Sequence, residues 1–144
     1  MARNAPLVAA VFVLYFLSIP SVQAKALPIQ TTVCEVVTHP EKFEGKRIRV
    51  RAEVGSDGIE HTVLVDDKAT CKLGLGILLS KQARERRVFD EVSDAIYRQR
   101  TIGAGGFGQK RIFAVFVGVF KSQRKMPIRV LSVESVSDLQ VDLR

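Results

Sequence analysis

The sequence predicts a mainly β fold with one inserted helix: a five-stranded barrel of order β-β-β-α-β-β, preceded by a short N-terminal helix. Three observations predict it. Short apolar stretches recur between turn signals, some with period two and some apolar on both parities. One segment only, Lys81 to Arg100, carries a helical apolar stripe. Strands do not alternate with helices, which argues against a doubly wound α/β arrangement. A length of 144 residues allows one domain, and 47% hydrophobic with 26% charged residues is globular composition rather than disorder.

The first segment reads as an address. Arg3 gives a short positive region, and Leu7 to Ile19 is uncharged and almost wholly apolar. Pro20 and Ser21 break it, and Val22-Gln23-Ala24 or Ala24-Lys25-Ala26 supplies a cleavage site. A membrane span needs roughly 20 apolar residues, more than this stretch holds. Residues 1–24 are therefore expected to be a secretory signal peptide, with an uncleaved anchor as the competing reading. Residues 25–144 then form the domain, in the periplasm or outside the cell. No cysteine near the cleavage site offers a lipoprotein attachment point.

Export bears on the cysteines. Cys34 and Cys71 are the only two, too few for a four-ligand zinc site. In an oxidising compartment a Cys34–Cys71 disulfide is the expectation. It would close a loop of about 37 residues and contribute about 3–4 kcal/mol by the chain-entropy estimate. Two buried free thiols are the alternative.

The elements follow in order. Lys25 to Thr32, with Pro28, is a loose leader. Thr31 or Thr32 caps a short helix through Val37, which His39-Pro40 ends. Gly45 to Val54 alternates: Ile48, Val50, Ala52 and Val54 on one face, Arg47, Arg49, Arg51 and Glu53 on the other. After the Gly55–Gly58 turn, Ile59 to Val65 is a second strand, and Leu73 to Leu79 a third, bent by glycine. Ser80 caps the helix, whose stripe is Val88, Phe89, Val92, Ala95 and Ile96. Arg111 to Lys121 is apolar on both parities, a strand buried on two faces. Ser122 to Pro127 is a basic turn, and Ile128 to Val136 the last strand, which the tail can extend. This order matches the five-stranded, partly open OB-fold-like barrel.

At these residues a family resemblance enters. Cys34-Glu35-Val36-Val37, Pro40, and Phe43-Glu44-Gly45-Lys46-Arg47-Ile48-Arg49-Val50 resemble the opening of bacterial secreted OB-fold proteins. Ser56 to Asp66, followed by Cys71, is similar to small uncharacterised exported OB-fold proteins of proteobacteria. The resemblance covers roughly residues 33–80. It implies fold and export, and it brings no catalytic residues. Ala52 departs from it, standing where the pattern often has glycine.

Candidate chemistry is sparse. Gly103 to Gly108 satisfies G-x-G-x-x-G, but it follows a helix and precedes a strand, the reverse of a dinucleotide site. No cofactor is expected. His61 with Glu60, Asp66 and Asp67 sketches a metal or acid–base site, yet Glu60 and His61 point to opposite faces of a strand. Asp57 and those carboxylates with Arg47 or Arg49 could imitate a barrel nuclease. His39 reads as a helix-end residue. No metal site is expected. The basic residues carry more. Arg47, Arg49 and Arg51 project about 7 Å apart from one strand face, and Lys121, Arg124 and Lys125 cluster in the last turn. In OB folds that turn and the adjoining face are the usual ligand site. A solvated strand face is the plainer reading of the arginines. Export opposes nucleic acid, as does the lack of aromatics over residues 59–79, since single-strand binders stack bases on aromatics. Phe113, Phe116 and Phe120 read as core. The expectation is an exported, monomeric, non-enzymatic binding module for a protein partner or an acidic envelope component. The alternatives are a secreted metal-dependent hydrolase or nuclease using His61, and a nucleic-acid binder.

Overall fold

Alternation in β2 (Arg47–Ser56) sets the architecture: Ile48, Val50, Ala52 and Val54 are buried in one interior. The computed structural model describes residues 25–56, 61–68, 70–101, 110–123 and 128–143. The expected signal peptide, the turn after Ser56, the Gly103–Gly108 loop and the turn holding Arg124 and Lys125 lie outside the described residues.

β2 pairs antiparallel with β3 (Thr62–Asp66), and β3 with β4 (Leu75–Leu79). β4 runs parallel to β6 (Ile128–Leu143), which pairs antiparallel with β5 (Lys110–Gln123). β5 returns to β2, from Arg47 opposite Val119 to Glu53 opposite Phe113. The five strands β2, β3, β4, β6 and β5 thus close into a mixed barrel. A closed ring pairs both edges of its strands and fills its interior with side chains. Phe116, Phe120, Leu64, Leu75 and Leu131 are fully buried there. Ala52 faces Ala114 across the closing seam, a small pair inside the narrow barrel.

The leader is not loose throughout: β1 (Ile29–Thr31) adds to β2 as a parallel strand. Thr32 then caps α1 (Val33–Thr38), its hydroxyl accepting from Glu35 N at 3.1 Å. Pro40 opens α2 (Pro40–Phe43), where its missing N–H costs nothing. Val33, Val36, Val37 and Phe43 pack these helices onto the barrel core.

The expected long helix is two. α3 (Lys81–Glu85) ends where Arg87 turns to φ +55°, and α4 (Asp90–Thr101) follows. Val88 N donates to Ala83 O and Arg87 N to Arg84 O, the paired bonds of a Schellman motif. The cause is the apolar pattern: Ala83 alone is buried in α3, so the chain turns to bring Val88, Phe89 and Val92 onto the core. Phe89 packs on Phe116 with ring centroids 6.4 Å apart.

β6 is longer than expected and irregular. Its core-facing residues Leu131, Val133, Val136 and Leu139 are spaced by two, three and three positions. Each step of three is a bulge, opposite Val117/Gly118 and Phe113/Val115. Bulges coil a strand and help a small barrel close. At the first, the backbones press together: a Cβ on Gly118 would lie 2.3 Å from Ser132 O.

Candidate functional site

The outward face of β2, β5 and β6 gathers the expected basic row, and it is not a free basic face. Arg47 Nε donates to Glu134 Oε2 at 2.7 Å, and its Nη1 to the Ala26 carbonyl at 3.0 Å. Lys25 Nζ lies 2.8 Å from the other Glu134 oxygen. Arg49 pairs with Asp138 at 3.9 Å. Arg51 donates to Gln140 Oε1 at 2.6 Å and lies 3.7 Å from Asp67. Arg111 meets Glu53 at 2.6 Å and stacks 4.6 Å above the Phe113 ring.

The geometry follows from register. β2 and β6 flank β5, so the β2 arginines reach their partners across Val115, Val117 and Val119. Arginine stems cover apolar surface while their heads find polar partners. This explains why Phe113 and Val115, on the outer face of the barrel, are only 7% exposed. Glu134 and Asp138 are supplied by the two bulged stretches of β6. Sequence reasoning missed Glu134, Asp138 and Gln140; the apolar spacing of two, three and three in β6 was the available signal. Burial pushes the Glu134 carboxyl up, but hydrogen bonds from Lys25 and Arg47 outweigh it and hold it below its ordinary 4.5.

Lys121 continues this face one pair beyond Val119, and it is exposed. The backbone there is fixed. Phe120 N donates to Lys46 O and Gly45 N to Phe120 O, both at 3.0 Å. Ser122 N donates to Glu44 Oε2 at 2.8 Å, and the Ser122 hydroxyl bonds the same oxygen. These contacts set exposed Lys46 beside the Lys121 end of β5, a neighbour that its sequence position does not announce. Arg124 and Lys125 lie in the connection outside the described residues.

Of the carboxylates expected near His61, the two that are described, Asp66 and Asp67, are engaged with other residues. Asp66 is 2% exposed and faces inward. Its Oδ1 accepts from Cys34 N at 3.4 Å, and its Oδ2 from Thr70 N at 3.2 Å and from the Thr70 hydroxyl. Burial pushes this carboxyl up, yet the bonds from Thr70, Cys34 and Lys68 hold it below its ordinary 3.8. Asp67 faces Arg51, while His61 is exposed. His39 lies 3.9 Å from Glu41 at the helix junction. Asp57 and Glu60 lie outside the described residues. Among the described residues no three His, Cys, Asp or Glu side chains group to hold a metal.

Cys34 and Cys71, expected as a disulfide, are free thiols in the structure. They are neighbours nonetheless. Burial and a hydrogen bond to Cys34 push the Cys71 thiol up to about 11, which favours the protonated form.

Comparison of the chain with models of known protein families, with curated proteins and with solved structures gives no match.

Proposed function

We propose that this chain is an exported, non-enzymatic binding module with an OB-type barrel, and that its ligand is an acidic protein surface or acidic envelope component. The contact lies at the β5–β6 end, through Lys121, Arg124 and Lys125 with Lys46 alongside. One observation carries this reading. Arg47, Arg49 and Arg51 are engaged by Glu134, Asp138, Gln140 and Asp67, whereas residues 121–129 hold Lys121, Arg124, Lys125 and Arg129 and no acid of their own, the Glu44 carboxylate beside them being bonded to Ser122. The arginine row is thereby reassigned to holding the barrel's outer face.

The OB label rests on strand order. β5, β2, β3 and β4 lie in the spatial order 4-1-2-3 of a Greek key, with helices in the long return connection and β6 closing the ring. In that fold the connection between the last two strands is a usual ligand site. Export rests on the pattern of residues 1–24 and on the resemblance of residues 33–80. Among the described residues no helix is long and apolar enough to cross a membrane.

The test is in-cell cross-linking of the tagged, exported protein, with mass spectrometry of what is captured. The expected result is a reproducible partner that is lost in K121Q/R124Q/K125Q and retained in R49Q/R51Q. Retention in the first variant, or loss in the second with the fold intact, overturns the assignment.

A further inference from the structure

Two segments far apart in sequence meet at the buried Asp66. One carboxylate oxygen takes the backbone N–H of Cys34, near the start of α1, and the other takes Thr70, the residue before Cys71. The carboxylate therefore sets α1 and the β3–β4 connection side by side. Cys34 and Cys71 are thereby brought to the same carboxylate, and the Cys71 sulfur contacts the Leu73 carbonyl at 3.8 Å. Both cysteines are only partly buried, so a soluble reagent can reach them. Cys71 packs against the core cluster, so the pair is seated on the barrel rather than on a loose tail. Cys34 precedes Val36 and Val37, the fully buried residues that anchor α1 to that same core.

We infer that Cys34 and Cys71 form a reversible redox clasp, closed by thiol–disulfide exchange, that fastens α1 to the β3–β4 connection over Asp66. The co-reactant is a disulfide, either of low molecular weight, such as oxidised glutathione, or on a dithiol oxidant protein. The Cys34 thiolate attacks one sulfur of that disulfide, breaking its S–S bond and releasing one thiolate. Cys71 gives its proton to solvent, and its thiolate attacks the Cys34 sulfur, breaking the mixed disulfide and releasing the second thiolate. Two protein thiols are oxidised, and one disulfide is reduced to two thiols. The proton that Cys71 holds to high pH makes the second step slow at neutral pH and faster as pH rises. The inference does not depend on the ligand proposed above.

The test uses the chain without substitutions. It is incubated in reduced or oxidised glutathione, then treated with a maleimide and analysed by peptide mass spectrometry. The expected product is a monomer lighter by two hydrogens, closed to maleimide until reduced, with a single peptide linkage from Cys34 to Cys71. Its unfolding midpoint is expected to lie about 10 °C or more above that of the reduced form. Three results would each overturn the clasp: both thiols still alkylated after oxidation, glutathione retained on either cysteine, or a bridge between two chains.

Discussion

At the scale of single residues, Asp66 is a buried carboxylate that joins two segments far apart in sequence. Replacing it with alanine removes the acceptor of the Cys34 and Thr70 N–H groups at a partly buried site. An unsatisfied buried polar group costs about 1–3 kcal/mol, so Asp66→Ala is expected to cost roughly 2 kcal/mol or more by urea titration. Its folded pKa lies below the ordinary 3.8, so its contribution is present above the carboxylate range and lost as pH falls through the folded value. Glu134 acts in the same direction through Lys25 and Arg47. Cys71 acts at the other end of the scale. Its folded value of about 11 exceeds the ordinary 9.0, so its contribution is present below about pH 9 and lost as pH climbs toward 11. The reduced protein should therefore lose stability on both flanks, and thermal melts across pH 2–11 check this. Asp66→Ala should shrink the acid flank, leaving the share of Glu134; an unchanged acid flank would remove Asp66 from this role.

At the scale of elements, glycine at position 118 is required by a close approach. A Cβ there would collide with the Ser132 carbonyl at 2.3 Å, backbone that cannot yield without moving the bulge. Gly118→Ala is expected to cost about 2–3 kcal/mol or to prevent folding, which expression and melting measurements will show. Arg87 presents the opposite case: an L residue held at φ +55° at the end of α3, with an 81% exposed side chain. Arg87→Gly removes a left-handed penalty on the order of 1 kcal/mol and is expected to raise the melting temperature despite losing the Asp90 contact. The sequence made some of this legible. Period-two patterning in β2 and two-sided hydrophobicity in β5 reflect burial, and burial is what the barrel imposes. The break between α3 and α4 was less visible, because no glycine or proline marks it; a Schellman turn built on arginine has no composition signal. The bulges of β6 were written in the spacing of Leu131, Val133, Val136 and Leu139, but three-residue steps read as the end of a strand rather than as a coiled one.

At the scale of the whole molecule, charge is sorted rather than spread. The chain carries a formal net charge of +7, yet Arg47 and Arg49 of β2 meet acids of β6 across β5. That pairing joins strands that are not sequence neighbours, so inspecting Arg47, Arg49 and Arg51 alone could not reveal it. What remained legible was the acid-free run from Lys121 to Arg129. Exposed ion pairs are worth about 1 kcal/mol or less each, so R49Q/R51Q is expected to lower stability only slightly. If instead it abolishes partner capture while the protein still melts cooperatively, the row is the binding surface after all.

The closing seam between β2 and β5 has a consequence in time. Arg47 must find Val119, and Glu53 must find Phe113, with two hairpin strands and the helices lying between them in the chain. Loop-closure entropy is spent before any such contact is rewarded, so barrels ruled by non-local pairing fold in milliseconds to seconds. Until that seam zips, β2 presents Ile48, Val50 and Ala52 on an unpaired edge beside the apolar run of β5. The interval just after synthesis is therefore when this chain is most open to misassembly, and equally when it is slack enough to be threaded through a narrow passage.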